Sequence, residues 1–555
     1  MIRVGLAILV GLAALGCEDP FRPAPRAAIV RITPDSLTIA LGHTVQLSAA
    51  VEDSAGRAVQ RAVTWRSLNE RVATITATGA VTGVDGGRAT ITASVDDVSG
   101  AATIVVEIPI ATVTIDLGDQ ELVTGGTLRF RALPRDSTGR PLLGHTIAWS
   151  IADTSIAALA PAGPDVVVTG RAPGTSTLTA RVEDHDTTVT LTVSTVRFAG
   201  VWVAESDHSC GITATGAAYC WGSDGLGELG NGIAPASVAP SPVTGGLSLA
   251  LLSPGGRFTC ALTSAGDPYC WGSGANGRLG NGSLENSTAP VSVTSPQRLR
   301  ELSSGWGLTC GLAAGGQAYC WGHAGGLGSD TLKFSAVPVA IGGELALHTV
   351  GVGNEYGCAL AADATARCWG VNREGRLGRS DVAYTDVPLA VEGGLAFDTL
   401  VAGPMHVCAL TPAGAAYCWG GNAAGQLGNG TTIGGATPGA VAGGLVFRAL
   451  SAGNAHTCGL TAEGSAWCWG SSADGRLGVA PGGVLCDTVP CSTTPVGVSG
   501  GLRFVTIAAG GAHTCGIATD GLTYCWGDNG NGQLGDGTAT SRSTPAAVLG
   551  QAPTP

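Results

Sequence analysis

Apolar and polar residues alternate from Thr44 to Asp53, with Val45, Leu47, Ala49 and Val51 on one side and Gln46, Ser48 and Glu52 on the other. A period of two marks a strand with one covered face. Similar runs separated by turns fill residues 28–109: IVRITP, AVTWRS, VATITATG, ATITASVDD and AATIVVEI. Residues 110–194 repeat the plan with LRFRALPRD, TIAWS, VVVTG, TSTLTARVED and TTVTLTVS. Trp65 and Trp149 hold matching places, each in a strand after an Asp-Ser-x-Gly turn. The pattern predicts two immunoglobulin-like β-sandwich domains, each tryptophan packed between its sheets. Neither module contains a cysteine, so apolar packing alone must hold the sheets together.

From Arg197 the pattern changes. One unit is written seven times, most clearly as HTCGLTAEGSAWCWG at 456–470 and HTCGIATDGLTYCWG at 513–527. First cysteines fall at Cys210, Cys260, Cys310, Cys358, Cys408, Cys458 and Cys515, so the steps are 50, 50, 48, 50, 50 and 57 residues. A glycine-dense repeat of this length, built from short strands, predicts a β-propeller of seven blades over 195–550. No single unit can cover its own apolar face, and closing the ring removes the exposed sheet edges. The expected fold is therefore all-β, a seven-bladed β-propeller preceded by two sandwiches, with 551–555 as a tail.

Within a unit the two cysteines lie five residues either side of a turn, as Cys458 and Cys468 do about Glu463. Opposed on an antiparallel hairpin, they can meet disulfide geometry. The expected pairs are Cys210–Cys220, Cys260–Cys270, Cys310–Cys320, Cys358–Cys368, Cys408–Cys418, Cys458–Cys468 and Cys515–Cys525, with Cys486–Cys491 as a short extra pair. Each bond closes a short loop and contributes about 2–3 kcal/mol on a chain-entropy account. So many disulfides imply an oxidising compartment. Metal-binding cysteine pairs usually stand two to four residues apart and draw on several elements, so this spacing fits them poorly. Trp221, Trp271, Trp321, Trp369, Trp419, Trp469 and Trp526 fill the Cys-Trp-Gly position in every copy and read as packing between blades. His208, His406, His456 and His513 stand two residues before a first cysteine, where other copies carry Phe258, Leu308 or Tyr356. Apolar replacement within the same chain makes a structural role the better reading than catalysis.

Seventeen cysteines leave Cys17 outside these pairs. The sixteen residues before it, MIRVGLAILVGLAALG, begin with a positive charge and continue as a small aliphatic run too short for a membrane span. Leu-Ala-Ala-Leu-Gly-Cys resembles a bacterial lipoprotein signal, departing at Ala14 where leucine is usual. The resemblance implies cleavage after residue 16, acylation of Cys17, a tether over 17–27 and a lipid bilayer as one partner. Glu18, where aspartate favours retention in the inner membrane, points to the outer membrane or cell surface.

The sandwich modules resemble bacterial immunoglobulin-like domains of group 2, which implies a spacer holding the remainder away from the membrane. The unit G-x-x-H-T-C-x-L-T-x-x-G-x-x-Y-C-W-G-x-N-x-x-G-x-L-G-x-G, closest at 403–430 and 510–537, resembles the repeat of the regulator of chromosome condensation family. That family's eukaryotic founder binds chromatin and exchanges nucleotide on a small nuclear GTPase, while some secreted bacterial relatives cover the active site of a β-lactamase. The founder's exchange element is an extra hairpin wedge with no counterpart that can be placed on this chain, so guanine-nucleotide exchange is disfavoured. From Arg197 onward 14 Arg and Lys face 22 Asp and Glu, and the whole chain carries −12. Nucleic acid needs a basic footprint, so no nucleic-acid partner is expected.

Two matches to G-x-G-x-x-G, at Gly225 and Gly272, fall in repeat turns without the following helix that dinucleotide binding requires. No motif of catalysis is legible and no cofactor is implied. The expected function is a membrane-tethered, non-enzymatic binding module for a protein or another envelope or extracellular ligand. An architectural envelope protein and a hydrolase or lyase built from loops are the alternatives. Residues that break the repeat are the candidate contacts. They are Trp306, Lys333 (the chain's only lysine) and, in the insertion pinched by Cys486 and Cys491, Val484, Leu485, Asp487, Thr488 and Val489. Trp202 also breaks the repeat, but it aligns with aliphatic positions such as Ile507 and is expected in the core.

Overall fold

The computed structural model describes residues 26–551 except 118–119, 163–164, 233–235, 324, 329–331, 343–345, 481 and 483. The expected leader and Cys17 lie outside the described residues. The chain divides into two compact units: one runs to Thr114 and includes Leu133–Thr146 and Arg181–Asp186, and the other holds the rest. The first unit contains an Ig-like β-sandwich. Strand Ser36–Ala40 pairs in parallel with Val98–Glu107, which continues antiparallel through Gly87–Val95 to Thr64–Ser67. Smaller sheets, Ile29–Thr33 with Ser48–Glu52 and a three-stranded one, complete it. Ile39, Leu47, Val51, Val81, Ile91 and Ile104 form its core, with Trp65 packed against them.

Further along the chain, two four-stranded sheets include Thr127–Arg135 and Asp165–Gly170 in one and Gly174–Val182 and His185–Ser194 in the other. Their core is Leu122, Phe130, Val166, Val168, Leu178 and Leu191, again with the tryptophan, Trp149, at its margin.

Seven consecutive antiparallel sheets follow, numbered here 1 to 7 from Phe198 to Ala547. Six have four strands in sequence order; sheet 6 gains a fifth because Leu485–Cys486 pairs with Val489–Gly497. The second and third strands of every sheet are joined by a disulfide between directly opposed cysteines, with Cα atoms 4.0–4.1 Å apart. Cys486 and Cys491 are joined as well. First strands of neighbouring sheets pack together and form the inner layer.

The link from sheet to sheet is the invariant indole. All seven repeat tryptophans are fully buried. Each donates its Nε1–H to a backbone carbonyl in the preceding sheet's loop: Trp271 to Glu228, Trp321 to Arg278, Trp369 to Gly326, Trp419 to Arg376, Trp469 to Gln426 and Trp526 to Arg476, at 2.9–3.1 Å. Trp221 of sheet 1 makes the same bond to Gln533 of sheet 7, at 3.0 Å. Val196 and Gln551 form a parallel bridge beside that junction. The loop after each inner strand begins with a glycine, or with Ala204 in sheet 1. A Cβ on Gly305 would lie 2.6 Å from the carbonyl of Gly353 in the next sheet, which is why no side chain fits there.

One detail differs from the sequence reading. Trp202 pairs with Cys210, whereas Ile507 pairs with Gly516, so the counterpart of Trp202 is Ala508. An extra residue in Glu205-Ser206-Asp207 shifts the register by one, and Trp202 is half-buried, packed against the core shared by sheets 1 and 2. In sheet 6 the inner strand is Ala449–Ala452 only; Val446 is exposed in an isolated bridge with Ala415.

Candidate binding face

Antiparallel order sends the loops between first and second strands, and those between third and fourth strands, to the same end of the seven sheets. Trp306 lies in the first kind of loop in sheet 3, Lys333 in the second kind in the same sheet, and 484–489 in the second kind in sheet 6. All the candidate contacts therefore share one end. They do not form one cluster, because Trp306 and Lys333 belong to sheet 3 and the hairpin to sheet 6.

Exposed apolar side chains concentrate at that end. Leu284, Trp306, Leu332, Ile433, Val484, Leu485 and Val489 are all exposed there, Trp306 at 45% and Leu485 at 59%. Among the described residues, the connections at the opposite end expose only Val446 in this way. Cys486 and Cys491 are buried at 3% and 4%, so their disulfide faces inward while Val484, Leu485 and Val489 face solvent. Asp487 takes a positive φ of 57° at the hairpin tip, where the short turn demands it.

Charge at this end is mixed around sheets 2 to 4, where Arg257, Arg278, Arg373, Arg376 and Arg379 stand with Glu285, Glu355, Glu374 and Asp381. It is acidic around sheets 7 and 1, at Glu205, Asp207, Asp224, Glu228 and Asp528. Burial pushes the Glu205 carboxyl up to about 8 and that of Asp224, also beside Glu228, up to about 7. Asp224 is 1% exposed, and its Oδ2 has no hydrogen-bond partner.

The four histidines are fully buried, and their Nε2 atoms are committed to the fold. Thr259 donates its hydroxyl to Glu228 O at 3.0 Å, so it accepts from His208 Nε2–H at 2.9 Å. The pairs His406–Thr457, His456–Thr514 and His513–Ser209 repeat the arrangement at 2.7–2.9 Å. Burial holds His208 and His513 at about 3 and His406 at about 4, so the rings are neutral. Tyr356 replaces histidine in sheet 4 and donates to Gly403 O at 2.7 Å. The carbonyls that accept from Ser209, Thr259, Thr457 and Thr514 are ones that the repeat tryptophans also use, which ties histidine, hydroxyl and indole into one inter-sheet joint. Among the described residues no group of His, Cys, Asp and Glu is placed to hold a metal ion, and no helix is long and apolar enough to cross a membrane.

What sequence reasoning missed is the cavity beside Trp306, of about 210 Å³, lined by residues from sheets 2, 3 and 4. Its signal was present in the repeated Arg-Leu-Gly at 278, 376 and 476, whose arginines differ in their surroundings.

Comparison with known families and structures agrees with this architecture. The profile of the bacterial Ig-like domain (group 2) matches residues 27–106. Two profiles of the regulator of chromosome condensation (RCC1) repeat match, one at 206–228, 447–476 and 504–533, the other at 265–312, 413–460, 463–517 and 520–553. Ice-binding protein 1 of Shewanella frigidimarina is 28% identical over 173 residues, covering 30% of this chain and 19% of that protein; the chain thus spans about a fifth of this curated relative. Yeast RCC1 (Prp20), in a structure bound to Kap60, is 20% identical with a TM-score of 0.55, over 64% of this chain and 85% of that one. Human WBSCR16 is 18% identical with a TM-score of 0.52, over 63% and 91%. The chain carries an RCC1-repeat, propeller-like domain preceded by a bacterial Ig-like domain.

Proposed function

We propose that this chain is an exported, lipid-anchored binding protein. In this reading 1–16 is the leader, Cys17 the acylated residue, 17–27 the tether, and 28–109 and 110–194 two Ig-like spacers. Residues 195–550 form a closed seven-bladed propeller. The end carrying Trp306, Lys333 and the Val484–Val489 hairpin captures a protein or another envelope or extracellular ligand. The one-sided exposure of apolar side chains carries the reading, since a purely architectural ring has no reason to favour one end. A hairpin already closed by Cys486–Cys491 loses less entropy on binding. Hairpin disulfides in every sheet support export.

The test is capture from envelope and secreted fractions by the full chain, beside a version whose 479–493 segment is replaced by the short turn of a neighbouring repeat. A partner held by the first and lost by the second is expected. Equal capture by both, or none by either with surface display intact, would overturn the assignment.

A further inference from the structure

Each of the seven sheets is made of strands consecutive in the chain, so no sheet joins a strand from near Phe198 to one from near Ala547. Six junctions between neighbouring sheets are also crossed by the chain itself, and the junction of sheet 7 with sheet 1 is not. There the Trp221 indole reaches Gln533 O, and the Val196 N–H donates to Gly550 O at 2.7 Å. A junction without a covalent crossing has to be held by packing and hydrogen bonds alone.

A further element enters this junction from the sheets ahead of it. Strand Gln120–Val123 pairs in parallel with Leu191–Ser194, and beyond Ser194 only Thr195 precedes the bridge of Val196 with Gln551. Successive side chains of a strand point to opposite faces. Leu122 lies in the core of its own sheets, with Phe130, Val166 and Leu191. Val123 is fully buried in a different core, which holds Phe198 and Trp221 of sheet 1 together with Ile517, Leu534 and Val548 of the last repeat. The turn that follows is fixed from behind: the Gly125 N–H donates to Gly170 O at 2.9 Å, and the Gly170 N–H donates to Gly126 O at 3.0 Å. Its front touches both sides of the junction. A Cβ on Gly125 would lie 2.7 Å from Leu549 Cδ1, and one on Gly126 3.4 Å from Pro240 O in the outer strand of sheet 1. A Cβ on Gly550 would lie 2.9 Å from that of Val123. Gly125 makes its approach at a φ of 83°, which side-chain-bearing residues rarely adopt.

We infer that Val123–Gly126 is a clasp, in which one buried side chain and a glycine turn hold sheet 7 against sheet 1 where neither a shared strand nor a linker does. Residues 110–194 then serve to close the seven sheets on themselves, in addition to spacing them from what precedes.

The test uses the full chain carrying isotope-labelled tryptophan, so that hydrogen exchange of each indole N–H is read by NMR. Val123→Ala should speed exchange at Trp221 about tenfold or more, because truncating a fully buried side chain weakens the packing that keeps the junction shut. The peptide containing Val196 should exchange faster as well, read by mass spectrometry. Trp419, whose indole is bonded to Arg376 O well away from the junction, should keep its parent rate. Leu549→Ala removes the group that Gly125 rests on and should reproduce the pattern from the other side of the contact. Parent rates at Trp221 in both variants, or equal acceleration of all seven repeat indoles, would overturn the clasp.

Discussion

Replacing Asp224 by asparagine should stabilise sheet 1, and by an amount that depends on pH. Three other sheets carry asparagine at this repeat position. The Oδ1 atoms of Asn372, Asn422 and Asn529 accept from the amides of Leu377, Leu427 and Leu534, and their Nδ2 atoms donate to nearby loop carbonyls. Asp224 keeps the first bond, from Leu229 N at 2.9 Å, but has an oxygen where the others have a donor. Its carboxyl stands at about 7 in the folded chain against 3.8 as its ordinary value. For an acid with a raised pKa the sign is unfavourable. Below the ordinary value both states hold the proton and nothing is lost; above it the unfolded chain releases the proton first, so stability falls until the folded carboxyl also ionises near pH 7. That gap corresponds to a loss of about 4 kcal/mol above pH 7. Thermal or denaturant unfolding of the parent and Asp224→Asn from pH 4 to 8.5, backed by hydrogen exchange at the Leu229 amide, measures it. The advantage of the variant should be small at the acid end, grow with pH and level off above neutrality. An advantage that is constant across pH, or a variant less stable than its parent at pH 8, would refute the reasoning.

The buried imidazoles predict the opposite trend. His406, held at about 4 by burial, stays neutral while the unfolded chain protonates below 6.5, so stability is lost as pH falls through that window. The loss is about 2 kcal/mol at pH 5, and His406→Phe, which copies Phe258 of sheet 2, should flatten the acid limb of the unfolding midpoint. Gly305→Ala places a Cβ 2.6 Å from a neighbouring carbonyl, whereas Gly315→Ala meets nothing within 4 Å. The first should cost about 2 kcal/mol or more in denaturant unfolding and the second far less. Cys486→Ser with Cys491→Ser should loosen only the hairpin, by about 2 kcal/mol. Limited proteolysis would then cut near 484–489 while the global midpoint holds.

Local relations within one repeat were the most legible part of the fold. Equal spacing about Glu463 is enough to oppose Cys458 and Cys468, because a hairpin is a short-range object. The indole of each Cys-Trp-Gly could be read as buried packing, yet its carbonyl acceptor lies 43 residues away for Trp271 and Trp419, in another repeat, and no local pattern marks it. The alignment of Trp202 with Ile507 fails because one added residue in the loop between Trp202 and Cys210 displaces every position before that loop when the repeats are aligned on the cysteine. The candidate contacts were found as breaks in the repeat, which locates Trp306 and the hairpin at one end but cannot show the cavity beside Trp306. That cavity is lined by residues from three sheets, and Gly307 on its wall stands where other copies carry Ala455 or Ala512.

The joint between sheet 7 and sheet 1 has a consequence for how the molecule is made. Trp221 and Gln533 are 312 residues apart, whereas the other indole links span 43 or 50. Disulfide partners within the sheets are only ten residues apart and can oxidise while most of the chain is still emerging. Six joints then assemble between neighbours in order of synthesis, and the seventh waits for the last sheet, because long-range closure comes late. Until it arrives, the flank of sheet 1 that receives Gln533 stays open. A second chain with its last sheet made but undocked offers the same sheet 7, so folding at high chain concentration should yield exchanged dimers in which each molecule supplies the other's seventh joint.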